Sequence, residues 1–265
     1  MFYHVSSENQ TFASAPRSRE YGCAGLFGLL TPQGNPTAEP ELRILLPAAS
    51  AMLASRLTSS SAELRQRLID YGDRLSGFVD DFGAIAFDAV GFACSGASYG
   101  IDSEDERRRT EAIAARKGYP IVTAAQAVKG ALAILGVGAI ALVSPYPAWL
   151  TDACRAYWGR HGVRVTATLQ LPSGPDEAHR IYTLTSAAVL EAMVCFDARG
   201  AEAVLLAGTG MPSLRAILAL EPIREVPVLS SNLCLAWALA SITGEARPGP
   251  ESRLYGGWAA RLASS

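Results

Sequence analysis

The feature that constrains this chain most is an internal repeat, in which motifs from the first half return in the second half. The stretch Gly25-Leu-Phe-Gly-Leu-Leu-Thr31-Pro32 is matched 113 positions later by Gly138-Ala-Ile-Ala-Leu-Val-Ser144-Pro145. The stretch Ala89-Val-Gly-Phe-Ala-Cys94-Ser-Gly96 is matched 114 positions later by Ala203-Val-Leu-Leu-Ala-Gly208-Thr-Gly210. A third pair lies 107 positions apart and consists of Pro120-Ile-Val-Thr123 and Pro227-Val-Leu-Ser230. Because the three matched segments occur in the same order in both halves, they predict two similar structural units.

Within each unit, short β-rich apolar runs alternate with longer stretches of helical periodicity. This alternation is typical of α/β proteins with parallel sheets. The strands divide equally between the two units, four to each. The predicted strands are residues 25–31, 52–58, 86–93, 119–123, 139–144, 163–170, 202–207 and 226–229, and the clearest helices are residues 124–135, 186–197 and 231–242.

We therefore predict an α/β fold of two similar Rossmann-like lobes with four-stranded parallel sheets, related by a pseudo-twofold axis. The first lobe is expected over residues 22–137 and the second over 138–233, with the C-terminal helical region 234–265 packing back on the first. Residues 1–21 are polar, lack the apolar core of a signal peptide, and are interpreted as an extension. Ligands of open parallel sheets bind beyond the carboxyl ends of the strands, so the site is expected in the cleft between the lobes.

Composition argues against several classes of function. The formal net charge of −2 provides no electrostatic footprint for nucleic acid or an acidic membrane. No apolar stretch reaches the roughly 18 residues of a spanning helix. Five irregularly spaced cysteines without a CxxC pair favour reduced thiols in a cytoplasmic protein. Three histidines without ligand spacing predict no metal site, and we expect no cofactor.

The matched strand ends carry small, polar, glycine-rich motifs, each followed by a helix. Unpaired N–H groups at a helix start form an anion site. Ser95, Gly96, Thr209 and Gly210 supply hydroxyls and uncrowded backbone, so two facing loops could hold one carboxylate. One donor aimed at developing negative charge typically contributes about 3–4 kcal/mol to a transition state. Ordinary tight turns are the alternative interpretation.

Cys94 is the candidate catalytic thiol. It ends an apolar strand and begins a helix, where the dipole and nearby N–H groups are expected to lower its pKa. A thiol there can exchange a proton or act as a nucleophile, although buried cysteines often serve only as small hydrophobes. Its counterpart in the repeat is Gly208, so the cleft has a thiol on one side only.

Five short motifs, taken together and in their order along the chain, indicate a family resemblance. They are Thr31-Pro-Gln-Gly-Asn35-Pro-Thr-Ala-Glu39-Pro, Phe92-Ala-Cys94-Ser-Gly96, Pro145-Tyr146-Pro147, Ala207-Gly208-Thr-Gly-Met211-Pro-Ser-Leu214, and Leu229-Ser-Ser-Asn232 with Ala236-Trp237. Over about residues 22–245 the chain resembles the aspartate/glutamate racemase superfamily, in the branch that holds arylmalonate decarboxylases and maleate isomerases.

The resemblance implies a small carboxylate or dicarboxylate substrate and a homo-oligomer as one possible state. Two cysteines in this superfamily imply racemisation or isomerisation, whereas the decarboxylases keep one cysteine and have glycine at the other position. The decarboxylases keep the second cysteine, and this chain keeps the first, which is a mirror arrangement. The leading hypothesis is a decarboxylase of a small 2-substituted malonate-like diacid, in which Cys94 protonates the enediolate. A maleate cis-trans isomerase with Cys94 as nucleophile, or an amino-acid racemase, is the alternative.

Two further classes remain open. Gly208-x-Gly210 after a strand allows a dinucleotide-binding oxidoreductase, although Ser213 stands at the third glycine position. A two-lobed binding protein without chemistry is the other. The strand-end motifs and the resemblance together predict a site, in which the role of Asn35 is implied by the resemblance alone. Its members are Cys94 as catalytic residue; Asn35, Ser95, Gly96, Tyr146, Gly208, Thr209, Gly210 and Asn232 as carboxylate or oxyanion ligands; and Thr31, Pro32, Met211 and Trp149 around the pocket.

Overall fold

Two four-stranded parallel sheets form the framework of the chain. The computed structural model describes residues 19–171 and 180–264, so the extension predicted for residues 1–21 lies almost wholly outside the described residues. The sheets have the orders β2-β1-β3-β4 and β6-β5-β7-β8, so their topology is the same. The predicted α/β fold with two four-stranded parallel sheets is confirmed.

The first sheet is built from the strands predicted in the first half of the chain, with bounds shifted by a few residues. Its strands are β1 (Gly25–Pro32), β2 (Ser50–Leu57), β3 (Ala89–Phe92) and β4 (Ile121–Thr123). The helices around it are α1 (Ala38–Leu45), α2 (Leu64–Asp73), α3 (Leu75–Asp80), α4 (Ser95–Tyr99), α5 (Ser103–Lys117) and α6 (Ala124–Ile134).

The second sheet repeats the arrangement. Its strands are β5 (Ala139–Ser144), β6 (Arg164–Gln170), β7 (Ala203–Leu206) and β8 (Val228–Ser230). The helices that follow are α7 (Ala148–Arg160), a 3-10 turn (Arg180–Thr183), α8 (Ser186–Val194), α9 (Leu214–Leu220), α10 (Ser231–Ile242) and α11 (Ala259–Ala263). Within the described residues, no helix is both long and apolar enough to cross a membrane.

The sequence explains where the central strands and their helices meet. Every residue of β1, β5 and β7 is buried, as expected of parallel strands covered on both faces by helices. Thr123 ends β4 and begins α6 with a capping box to Gln126, while Ser230 ends β8 and caps α10 through Leu233 N–H. The carboxyl ends of β4 and β8 therefore pass directly into helix starts.

The C-terminal segment contacts both halves of the molecule. Helix α10 packs against α6 and α1 of the first half. Beyond it, the Tyr255 hydroxyl donates to the Leu45 carbonyl (2.9 Å), and the Arg253 N–H donates to the Glu221 carboxylate (2.9 Å) at the end of α9. The division into lobes at 22–137 and 138–233, with residues 234–265 on the first, remains our proposal.

Candidate active site

The carboxyl ends of the central strands of both sheets open onto one cleft. Several of the residues predicted from the strand-end motifs line it together. They are Pro32, Asn35, Cys94, Ser95, Gly96, Tyr146, Thr209 and Gly210. The cleft therefore draws on both halves of the repeat.

Cys94 follows β3 and is the N-cap of α4. The side chain is only 4% exposed. Burial raises the pKa of the thiol to about 12, although hydrogen bonds from the Ala97 and Gly96 N–H groups act in the opposite direction. The expectation that the helix start would lower this pKa is wrong, because desolvation of the thiolate outweighs the two donors.

Gly208, the counterpart of Cys94, lies close to neighbouring side chains that would crowd a Cβ atom at this position. Its φ is +89°, in the left-handed region that disfavours side chains. A Cβ atom added there would lie 3.0 Å from the Tyr146 hydroxyl oxygen, 3.1 Å from Ile181 Cδ1 and 3.2 Å from Pro145 Cγ. A side chain at this position would therefore need a left-handed backbone conformation and shifts of a few tenths of an ångström in these neighbours.

Buried hydrogen bonds join the two lobes directly beneath the cleft, and we call this set the interlobe seam. The Thr209 hydroxyl donates to the Ala93 carbonyl (2.7 Å) and accepts from Asn35 Nδ2 (3.2 Å). The Ser95 hydroxyl donates to Ser231 Oγ (3.2 Å). Thr209 gives its only hydroxyl proton to Ala93, so this hydroxyl fastens the lobes and does not donate to a ligand.

Asn35 has its side chain engaged in two ways. Its Oδ1 accepts from the N–H groups of Thr37 (2.9 Å) and Ala38 (3.1 Å), which fixes the start of α1. The Thr37 hydroxyl then donates to the Gly210 carbonyl (2.9 Å), adding a further bond to the interlobe seam. The loop after β1 is thereby held against the loop after β7.

In the loop after β7, the backbone N–H groups of residues 208–210 differ in whether they have a hydrogen-bond acceptor. The Gly208 N–H donates to Ser231 Oγ (3.1 Å). Among the described residues, the N–H groups of Thr209 and Gly210 have no acceptor. Two unpaired N–H groups on one loop can bind an anion, and we call this pair the anion cradle.

Tyr146 brings a phenol to the same place. It follows β5, and its ring packs edge-on against Tyr99 with centroids 6.0 Å apart. Burial raises its pKa well above the usual range, and hydrogen bonds to Tyr99 and Ser95 only partly oppose this. The phenol therefore remains protonated at neutral pH and can donate to an oxyanion.

Glu41 is a buried carboxylate below the cleft that the sequence analysis did not identify. It accepts from the Ser213 N–H (2.5 Å) and hydroxyl (2.8 Å), the Leu214 N–H (3.1 Å) and Asn232 Nδ2 (2.7 Å). Burial raises its pKa, with these donors opposing. Asn232 also donates to the Thr209 carbonyl (3.1 Å), so it supports the loop from below.

Five of the predicted residues do not line the cleft. Gly208 flanks it and Asn232 lies beneath it. Thr31 is fully buried, and its hydroxyl has no partner within residues 19–171 and 180–264. Met211 is fully buried in the core, while Trp149 stacks under the Arg65 guanidinium at 4.2 Å. Met211 and Trp149, which were predicted around the pocket, are therefore not among the residues that line the cleft.

The cleft has a wall from α2 that the sequence analysis missed. Leu64, Arg67, Leu68 and Tyr71 line it from this helix, joined by Leu150, Ile181 and Tyr182. The helix residues are spaced i, i+3, i+4 and i+7, so they share one face. This spacing was the available signal.

Metal binding has no structural basis in the part of the chain described. No group of three or more His, Cys, Asp or Glu side chains lies close enough there to hold an ion.

Comparison with known proteins finds arylmalonate decarboxylases and maleate isomerases. A sequence model of arylmalonate decarboxylase matches residues 83–255. A maleate isomerase from Pseudomonas putida is 26% identical over 231 residues, which is 80% of this chain and 89% of that protein.

Solved structures share the fold. The crystal structure of the maleate isomerase Iso from Pseudomonas putida S16 has a TM-score of 0.78 at 22% identity, covering 88% of this chain and 98% of that chain. A liganded arylmalonate decarboxylase mutant, with one glycine changed to cysteine and one cysteine to serine, has a TM-score of 0.76 at 20% identity. That match covers 87% of this chain and 98% of the mutant.

Proposed function

Since the chain belongs to the arylmalonate decarboxylase family, we propose that it is a cofactor-independent decarboxylase of small 2-substituted malonate-like diacids. We place it in the cytoplasm and leave a homo-oligomer as a compatible state. The observation that carries the proposal is that Cys94 is the one cysteine among the described residues that line the cleft, while its counterpart in the repeat is Gly208 in a left-handed conformation.

The proposed reaction begins with one carboxylate of the diacid in the anion cradle. The Thr209 and Gly210 N–H groups and the Tyr146 hydroxyl donate to its oxygens. The bond to the other carboxylate breaks, CO2 leaves, and the electron pair passes into an enediolate. The second negative charge then develops on the held oxygens, where fixed donors stabilise it most.

Cys94 completes the reaction by giving its proton to the α-carbon. Because burial raises the thiol pKa to about 12, the proton is present at neutral pH. The thiolate left behind is strongly basic for the same reason and recovers a proton from water. One thiol suffices, since the α-carbon is protonated once for each CO2 released.

The departing carboxylate needs an apolar environment. Leu68, Leu150 and Ile181 line the cleft and supply it in place of Met211 and Trp149. A carboxylate against apolar side chains loses hydration that it no longer needs as neutral CO2, so the transition state is favoured over the ground state.

A maleate-type cis-trans isomerase is the second candidate, favoured by the 26% identity to the maleate isomerase. There Cys94 would add to the alkene as a thiolate. The raised pKa of Cys94 opposes this form in the free enzyme. Racemisation is disfavoured further, because the cleft lacks a second acid or base at Gly208.

The test is incubation of the purified enzyme in D2O with arylmalonates, alkylmalonates and maleate, followed by NMR. We expect CO2 release and one deuterium at the α-carbon. Cys94→Ala should lower the rate by about 10²-fold or more, while Cys234→Ala, at another buried thiol, should retain most of it. Conversion of maleate to fumarate without CO2 would instead support the isomerase.

The pH dependence of kcat/KM separates the same two candidates. A thiol whose pKa is about 12 stays protonated from pH 7 to 10, so decarboxylation should show no loss from Cys94 in this range. In an isomerase, the fraction of Cys94 present as the thiolate nucleophile would rise with pH. The rate should therefore rise about tenfold per pH unit in this range. A rise of that size would contradict the decarboxylase.

A further inference from the structure

Arg67 is a cation in the cleft that the proposed reaction does not use. It lies on α2 and lines the cleft between Leu64 and Tyr71, yet only 7% of it is exposed. Long charged side chains are almost never buried to this degree unless they are paired.

Among the described residues, no carboxylate forms an ion pair with this guanidinium. Its buried Nε has no hydrogen-bond partner within residues 19–171 and 180–264. Elsewhere on the same helix, Asp70 is occupied by Gln66 (2.8 Å) and Ser59. A buried charge without a partner carries a large desolvation penalty, which an anionic ligand would relieve.

The neighbours of Arg67 mark the position of its charge. Burial raises the pKa of Tyr71 to about 12, and the nearby Arg67 charge acts in the opposite direction. Burial likewise raises the pKa of Tyr182, again with Arg67 opposing. Both phenols line the cleft together with Arg67. A Cβ atom added at Gly210 would lie 2.7 Å from the Tyr182 ring, so this polar corner adjoins the cradle at Thr209 and Gly210.

Apolar side chains lie close to this corner. A Cβ atom added at Gly96 would lie 3.2 Å from Leu68 and 3.5 Å from Leu150, so α2 sits directly on the loop that carries Cys94. The cleft thus has an anion cradle on the strand-end loops, an apolar wall, and a buried cation on α2.

The departing carboxylate is not a suitable partner for Arg67. Its charge moves away as CO2 forms, so a guanidinium paired with it would stabilise the ground state more than the transition state. A carboxylate that persists through the reaction meets no such objection, and the guanidinium fork matches it with two hydrogen bonds.

We propose that Arg67 binds a second carboxylate that the substrate keeps through the reaction. Resting on the proposed function, this makes the preferred substrates malonates whose 2-substituent ends in a carboxylate, instead of arylmalonates. The product of the shortest such acid, carboxymethylmalonate, is succinate.

Binding of succinate and butyrate tests the role of Arg67 without turnover. By calorimetry, succinate should bind the wild-type enzyme at least about tenfold more tightly than butyrate. Arg67→Met should abolish this difference by weakening succinate alone, and Arg67→Lys should restore part of it. Arg65→Met removes an exposed cation from the same helix and should leave both affinities unchanged.

Several results would overturn the assignment of Arg67. They are equal affinity for the two acids in the wild type, equal weakening of both in Arg67→Met, or no binding of either. Thermal unfolding of each variant identifies a loss of fold, in which case the Arg67→Lys comparison decides.

Turnover separates this inference from the proposed function. Carboxymethylmalonate should have a lower KM than propylmalonate, and Arg67→Met should remove that advantage. If both substrates lose CO2 with equal KM, the decarboxylase stands and the Arg67 assignment fails. If no malonate reacts while succinate binding still depends on Arg67, the proposed function fails and the second-carboxylate site stands.

Discussion

Gly208 and Cys94 occupy equivalent places in the repeat but face opposite physical demands. Cys94 caps a helix with its sulfur buried, whereas Gly208 has a positive φ and lies 3.0 Å, at its missing Cβ, from the Tyr146 hydroxyl. The Tyr146 phenol therefore lies close to the space that a side chain at Gly208 would occupy. In the proposed function, this asymmetry leaves Cys94 as the one thiol that can give a proton to the substrate.

Gly208→Ala should test whether this approach matters for activity. The left-handed backbone should cost about 1–2 kcal/mol, and the new methyl group should displace Tyr146 and lower kcat at least tenfold. Gly118→Ala is the matched control, because Gly118 has φ +78° but nothing within 4 Å of its missing Cβ. Similar loss of stability in both variants with unchanged kcat in both would contradict the role given to Tyr146.

At the scale of elements, the sequence predicted the strands better than the helix that closes the cleft. Strand ends were recognisable because buried parallel strands are short apolar runs that finish in small polar residues. Cys94, Ser95 and Gly210 were found in this way. Arg67 was missed because α2 contacts the Gly96 loop through tertiary packing, which a repeat in the strands does not report.

The direction of individual hydrogen bonds also could not be predicted from the sequence. Thr209 was predicted to donate to a carboxylate, but its hydroxyl proton goes to the Ala93 carbonyl. Likewise, the helix start was expected to lower the Cys94 pKa, and the degree of burial reverses that expectation. Both outcomes depend on how two lobes pack, so local residue patterns could not predict them.

Glu41 on α1 holds the start of α9, and its removal should weaken the fold. Glu41→Gln replaces one acceptor oxygen by an NH2 group that faces donors from Ser213, Leu214 or Asn232. The free energy of unfolding in urea should fall by about 2–3 kcal/mol.

The control for this experiment is Glu39→Gln on the same helix. Glu39 forms partly exposed ion pairs with Arg43 and Arg56, which should change stability by less than about 1 kcal/mol. Equal effects of the two substitutions would mean that Glu41 is not the buried anchor described.

At the scale of the whole molecule, the interlobe seam and the C-terminal segment bind the lobes into one unit. Arg253 and Tyr255 contact the ends of α9 and α1 from a single stretch of chain. Trp258 is fully buried in that stretch, and its indole N–H donates to the Tyr255 carbonyl (2.8 Å). Unfolding of either lobe therefore exposes contacts of the other.

Trp258→Ala should destabilise both lobes together. We expect a loss of about 3–5 kcal/mol in one cooperative transition, with far-UV circular dichroism and tryptophan fluorescence changing at the same urea concentration. Trp258→Phe keeps most of the volume and should lose less. Two separate transitions in the wild type would contradict the coupling.

The buried carboxylate of Glu41 also limits what could be made by cutting and rejoining this chain. By the 113-residue offset, its counterpart in the second half is Cys154, a buried thiol on α7. Glu41 in the first half thus depends on two hydrogen-bond donors, Ser213 and Asn232, that belong to the second half. Two copies of either half would therefore lack this buried contact.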